Sequence, residues 1–338
     1  MTCLRQQMHG RAGRKPHVPR EDSSFDMLLV EEDLKGGYCQ LQFYFGPREG
    51  FETTTVDWGD GTVEHVGTQR VFHNYSEPGR YALRIGAEAR WFRLWEGYTV
   101  NAQGRTSYCR PQIWLNGWSD TLESCEGTFC GWSDPTHGGL KGTVPEWGPS
   151  ITDTSCCFER CSDLEGGFPE WTDAVTDASG TFQHTNLAGP IPRWGKNIVK
   201  AGSCYACCPN VVGPFVAWPE RCVEFGYCYE NCTGLSGPLP PWPETAEDLN
   251  NAYTGCTGAT GTIPPWPPNV KNTIRCYHGC TGLTGAWTTD PAELMPMEKV
   301  RYSPDSDFYR CYDCVEDASE ALRSIFWDSW GGDIPQPS

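Results

Sequence analysis

Cysteines four residues apart recur along this chain as Cys157/Cys161, Cys204/Cys208, Cys228/Cys232 and Cys276/Cys280, each pair straddling an aromatic side chain. In one repeat both positions are threonine, Thr181 and Thr185, and only Ala252/Cys256 breaks the joint pattern. Joint presence or absence is what a bond within one coil would produce, since losing one partner makes the other useless. One helical turn separates such residues by about 6 Å, near the upper end of the span that a disulfide bridges. So small a loop would contribute roughly 2 kcal/mol if unstrained. Local disulfides, and with them an oxidising, extracellular-type environment, are the expectation; a buried ladder of reduced thiols packing as small hydrophobes is the alternative. Zinc is the third chemistry. Cys311 and Cys314 form a CxxC and Cys204, Cys207 and Cys208 cluster, but no second pair stands at finger or ribbon spacing, so no metal is expected. The odd total of 19 cysteines leaves at least one thiol unpaired in any monomer.

Tryptophan offers a different chemistry. Trp147, Trp171, Trp194, Trp218, Trp242 and Trp266 are spaced by 24 residues with a single step of 23. Exposed indoles beside prolines would form a stacking platform for sugar rings or an aromatic partner surface; packed on one another they would be a structural ladder. Catalytic constellations are harder to find. The chain has no G-x-S-x-G elbow, phosphate-binding glycine loop or H-E-x-x-H. His184 and His278 fall at different offsets from their aromatic column and do not converge. Glu146 and Glu170 occupy equivalent positions of successive repeats, which makes them a repeated surface feature in place of the two facing carboxylates a glycosidase needs. Neither an enzymatic activity nor a cofactor is expected.

The element that must position these residues is the repeat itself. Phe158, Phe182, Tyr205, Tyr229, Tyr253 and Tyr277 keep the same step as the tryptophans, and a glycine stands five residues before each Trp: Gly142, Gly166, Gly189, Gly213, Gly237 and Gly261. A period in this range signals a solenoid, in which each coil leaves its apolar face open until the next coil covers it. Within "YENCTGLSGPLPPWP" the aromatic turns inward on a compact segment, "LSGPL" is a short strand, and the prolines end it because they cannot continue a ladder. Stacked strands about 4.8 Å apart turn each column into a row of like side chains. After the repeats, "VEDASEALRSIFW" places Ala318, Leu322, Ile325 and Phe326 on one helical face, a cap for the exposed end.

The pattern resembles the BspA-like leucine-rich repeats of bacterial surface proteins, whose aromatic, Cys and Leu spacing is matched by Tyr229, Cys232 and Leu235, and by Tyr277, Cys280 and Leu283. The Ile191-Pro192 and Ile263-Pro264 steps also resemble the plant-type leucine-rich repeat. Ahead of the repeats, "VDWGDGT" (56 to 62) and "VFHNYSEPGRYALRI" (71 to 85) are hairpin signals, and "GYCQLQFYF" (37 to 45) is a further strand. Residues 24 to 98 resemble a PKD-type immunoglobulin-like domain, carried by Trp58, Gly59, Asp60, Gly61, Thr62, His73, Tyr75, Gly79 and Tyr81. Asp57 and Asp60 could contribute to a calcium site, but the other oxygen ligands are not evident, and Asp60 is expected to bond its own turn.

The expected fold class is therefore mainly β: a basic N-terminal arm (1 to 23), a PKD-like immunoglobulin-like sandwich (24 to 98), a junction (99 to 118), a Cys/Trp-rich leucine-rich-repeat-type solenoid of about 24-residue coils (119 to 287) and a C-terminal helical cap (288 to 338). The net charge of -17 argues against general nucleic-acid binding. The arm inverts that sign. Arg5, Arg11, Arg14, Lys15 and Arg20 are accompanied by no acid, as suits docking on an acidic scaffold, capsid protein or sister subunit. No stretch is long and apolar enough for a membrane span, and the opening has no run resembling an export-signal core. These features lead to the expectation of a displayed structural or adhesion protein. A phage virion decoration or host-attachment protein, released by lysis, comes first, with a glycan or protein partner on the repeats. A BspA-like bacterial surface adhesin and an extracellular filament subunit are the alternatives.

Overall fold

A computed structural model describes residues 19–109, 111–133, 139–273 and 275–283, and over these the chain is mainly β. The N-terminal part contains β1 (Ser23–Leu29), the single-turn α1 (Glu31–Leu34), β2 (Tyr38–Pro47), β3 (Thr54–Asp57), β4 (Val63–Val66), β5 (Arg70–Tyr75), β6 (Gly79–Ile85), β7 (Ala89–Val100), β8 (Thr106–Tyr108) and β9 (Gln112–Gly117). One sheet runs β9-β1-β6-β3-β4 and the other β5-β2-β7-β8. Period-two alternation puts Phe25, Met27 and Leu29 of β1, and Leu41, Phe43 and Phe45 of β2, into a shared core. Phe25 stacks on Phe43 at 6.2 Å, and Phe43 meets Trp58 edge-on at 5.4 Å.

The β3–β4 turn holds itself together through its acids. Asp57 accepts from the Gly59 amide at 2.9 Å, while one Asp60 oxygen accepts from the Thr62 amide at 2.9 Å and hydroxyl at 2.6 Å. The other Asp60 oxygen meets His73 Nε2 at 2.8 Å, and the His73 ring lies flat on Trp58 at 4.4 Å. Gly59 is required twice over: its φ is +78°, and a Cβ there would sit 2.6 Å from the Ala82 nitrogen.

The junction, 99 to 118, is built into the N-terminal sheets. Its residues form β8 and β9, and β9 pairs antiparallel with β1 because Ile113 and Leu115 alternate into the core. Both sheets then continue into the repeats. β9 pairs in parallel with β10 (Gly139–Thr143), and β10 with β11 (Leu164–Glu165). Beyond β11 the bridges lapse for one step, spanned by the Ala188 amide donating to the Gly166 carbonyl at 2.8 Å, and resume through Gly189, Val211, β12 (Gly213–Pro214), β13 (Leu235–Pro238), β14 (Ala259–Thr260), Gly261 and Leu283. On the other side Trp91 of β7 bridges Ser124, which begins a parallel row through Asp153, Asp177, Lys200, Glu224, Asp248 and Asn272. One hydrophobic core extends from Phe25 to Leu283.

Between the two rows each repeat makes a tight segment that is neither helix nor strand. Around Tyr229, two residues are left-handed, Tyr227 (φ 61°) and Asn231 (φ 57°). Amides alternate in duty. Those of Cys228, Glu230 and Cys232 close turns onto Phe225, Tyr227 and Tyr229, whereas those of Tyr227, Tyr229 and Asn231 reach Asn250, Ala252 and Thr254 of the next coil. Every peptide of the segment is thereby used, which a buried backbone requires. The Gly142 to Gly261 column also has positive φ throughout, from 79° to 108°. The columns begin one coil earlier than expected, at Trp118 and Phe129, both fully buried. The C-terminal cap lies outside the described residues, as do Arg5, Arg11, Arg14 and Lys15 of the arm. Arg20 is described: its carbonyl accepts the Asp120 amide at 2.9 Å.

Candidate functional site

The tryptophan column does not face outward. Trp147, Trp171, Trp194, Trp218, Trp242 and Trp266 are only 3 to 8% exposed, so they offer no stacking platform to a ligand. From Trp147 to Trp242 each indole packs on the next, as Trp147 on Trp171 at 5.6 Å and Trp218 on Trp242 at 5.4 Å, and Trp266 packs on Tyr277 at 5.4 Å. The polar edge is also used internally. Trp171 Nε1 donates to the Tyr205 hydroxyl at 2.9 Å, Trp194 to Tyr229 at 3.2 Å, Trp218 to Tyr253 at 2.9 Å and Trp242 to Tyr277 at 2.9 Å. Each bond ties one coil to the following one. Burial pushes the Tyr205, Tyr229 and Tyr253 hydroxyls well above the ordinary phenol range, so they remain neutral acceptors.

The cysteine pairs are a second correction. Cys157, Cys204, Cys208, Cys228 and Cys232 are free thiols, and the expected bonds within coils are replaced by bonds between them. The sulfur three residues after each aromatic donates to an aromatic carbonyl one coil back: Cys161 to Phe129 (3.0 Å), Cys208 to Phe182 (2.9 Å), Cys232 to Tyr205 (3.0 Å), Cys256 to Tyr229 (3.0 Å) and Cys280 to Tyr253 (3.1 Å). The left-handed residue between the two cysteines, such as Asn231, removes the helical turn on which a disulfide would depend. Burial raises the Cys204, Cys228, Cys232 and Cys256 thiols well above their ordinary value, and Cys208 to about 11. Protonated, enclosed thiols are poor nucleophiles and poor metal ligands. Thr181 and Thr185 fill the same two columns with hydroxyls that donate to Ala178 (2.9 Å) and Phe182 (2.9 Å).

Asp57 and Asp60 are occupied by their own turn, as expected for Asp60. Burial works to raise the Asp60 carboxyl, but the Thr62 hydroxyl and amide and His73 outweigh it and hold it below the usual carboxylate range. Glu146 and Glu170 are exposed in successive coils. Among the described residues no group of three or more His, Cys, Asp or Glu side chains is arranged to hold a metal, and no helix is long and apolar enough to cross a membrane.

What is open lies at the seam between the N-terminal sheets and the first coil. Trp91, Arg93 and Trp95 stand at alternate positions of β7, and with Tyr44 of β2 and Ser124 and Glu126 of the first coil they line a recess of about 280 Å³. Trp95 is 48% exposed and meets Tyr44 edge-on at 5.9 Å. Arg93 lies 5.8 Å from the Trp95 ring centre and pairs with the Glu126 carboxylate at 3.2 Å. The available signal was the W-F-R-L-W alternation of residues 91 to 95, which presents two indoles and a guanidinium on one face of a strand. The carboxylate comes from a different coil, so the grouping could not be read along the chain.

No protein-family model matches this chain, and neither a curated protein nor a solved structure matches it.

Proposed function

We propose that this chain is a non-enzymatic display protein, in which a PKD-like, immunoglobulin-like sandwich is extended by a leucine-rich-repeat-type solenoid. The observation that carries this reading is the unbroken bridge row from Trp91 to Asn272, beside a second row that starts at β9, is interrupted after β11 and resumes from Gly189 to Leu283. Two parts that share both rows and one core make a stiff body, suited to holding a surface at a distance. The buried tryptophans support a structural use of the repeats and remove the ligand-stacking use. A virion decoration or host-attachment protein is the first setting. The segregation of Arg5, Arg11, Arg14, Lys15 and Arg20 from an otherwise acidic chain supports an arm that anchors it to a capsid, scaffold or sister subunit. Paired resemblances to bacterial surface proteins favour a cell-surface adhesin as the second reading.

Mass spectrometry of purified particles and washed cell envelopes from the native source separates the two. Fixed stoichiometry in particles is the expected result. Recovery in envelopes alone returns the protein to the adhesin class, and recovery in neither fraction overturns surface display.

A further inference from the structure

We propose that the recess at the seam is a binding site for an uncharged saccharide ring. Its shape is built in by two glycines. A Cβ on Gly46 would lie 2.1 Å from Trp91 Nε1, so only glycine lets that indole lie across β2. A Cβ on Gly127 would press on the Arg93 guanidinium at 3.0 Å. The left-handed conformation alone does not demand glycine at that column, because Cys156, Ser203, Tyr227, Asn251 and Arg275 adopt it in other coils. Space beneath the guanidinium is what distinguishes the first coil.

The polar groups are fixed before any ligand arrives. Arg93 Nε and Nη2 both donate to the Glu126 carbonyl at 3.2 Å, and Nη2 also reaches the Glu126 carboxylate, which among the described residues leaves the Nη1 hydrogens for another acceptor. Tyr44 receives a hydrogen bond from Gln42 at 3.3 Å, which sets its ring beside Trp95. The result is a surface with indole faces for stacking and, within the same recess, an unused donor pair and a partly exposed carboxylate acceptor.

That combination selects among ligands. A sugar ring presents an apolar C–H face to an indole while its hydroxyls both donate and accept, so Glu126 and Arg93 are satisfied together. A proline-rich segment stacks on aromatics but its prolines have no N–H to give Glu126. The chain's charge of -17 disfavours an anionic ligand of either kind. The site goes beyond display, which concerns where the protein sits and not what it holds, and the two ideas fail separately.

The test uses the full chain on an array of neutral hexose and N-acetylhexosamine oligosaccharides, with a proline decapeptide alongside, followed by titration calorimetry on the strongest glycan. Saturable binding of a neutral glycan is expected, with affinity reduced tenfold or more by both Trp95→Ala and Arg93→Ala. Trp95 is 48% exposed, so its variant should melt with the parent; Trp95→Phe should recover part of the affinity. Absence of saturable binding across the array, binding of the proline peptide alone, or glycan binding indifferent to Trp95→Ala would each overturn the proposal. Fractionation of particles and envelopes is unaffected by any of these results.

Discussion

At four steps of the ladder an indole N–H meets a tyrosine hydroxyl of the following coil, and the sequence also contains the step without that oxygen. The residue that stands to Trp147 as Tyr229 stands to Trp194 is Phe182, and Trp147 Nε1 is buried without a hydrogen-bond partner among the described residues. A buried donor left unpaired costs about 1–3 kcal/mol, and a satisfied one gains about 1 kcal/mol net. Phe182→Tyr should therefore raise stability by about 1 kcal/mol, read as a higher urea midpoint at unchanged slope. The converse change Tyr229→Phe should lower it by about 1 kcal/mol or more by orphaning Trp194. A lower midpoint for Phe182→Tyr would mean that the ladder has no room for the oxygen. Asp60 gives the pH-dependent counterpart. Its folded pKa is depressed, so its contribution is present above the ordinary carboxylate value of about 3.9 and disappears as pH falls through the folded value. The stability gap between the parent and Asp60→Asn should be open at pH 7 and narrow progressively below about pH 4; a gap constant down to acid would exclude the Thr62 and His73 bonds as its origin.

Each coil contains two left-handed positions flanking its aromatic, and a third at the glycine before the Trp. Where the residue is not glycine the backbone carries a steric cost of about 1–2 kcal/mol. Tyr227, at φ 61°, is such a position, so Tyr227→Gly should stabilise by about 1 kcal/mol. Gly237→Ala should cost about the same although nothing lies within 4 Å of the added methyl, because the penalty is conformational and not a clash. Denaturant titration of the two variants checks both signs. These backbone signs also mark the limit of what could be read from the sequence. The columns themselves were legible because Trp, aromatic and Gly recur at one step. Trp118 and Phe129 escaped that reading since Trp118 precedes Trp147 by 29 residues and so falls out of step. The side on which the indoles lie was not legible either: tryptophan beside proline suits a buried ladder as well as an exposed platform. The disulfide expectation failed for a local reason, the left-handed residue inside a spacing that had implied one helical turn. At the seam, Arg93 and Glu126 are neighbours only because the first coil continues β7, a tertiary relation that carries no period.

Two modules joined by a linker would unfold independently, whereas here Phe129 of the first coil makes the connection physical. It meets Phe25 of the N-terminal core edge-on at 6.2 Å and stacks on Phe158 of the next coil at 6.1 Å. Trp118 lies beside it at 6.3 Å. Coils interact with nearest neighbours, so a stack needs a covered end, and the N-terminal sheets supply that cover by extending both bridge rows. Hydrogen exchange of the parent should accordingly show β1, β9 and the coil containing Phe158 opening with similar free energies. Truncating Phe129 to alanine removes a fully buried ring, a change that costs about 3–5 kcal/mol in well-packed cores. Its particular signature is loss of coupling: protection around Phe158 should fall while β2 and β5, on the far side of the N-terminal core, remain protected. Phe225→Ala, several coils away, is the comparison, since it should lower protection locally and leave the seam intact. If Phe129→Ala weakened β2 and the Phe158 coil equally, or left both unchanged, the N-terminal sheets would not be acting as the cover of the stack. They would then be a module merely tethered beside it.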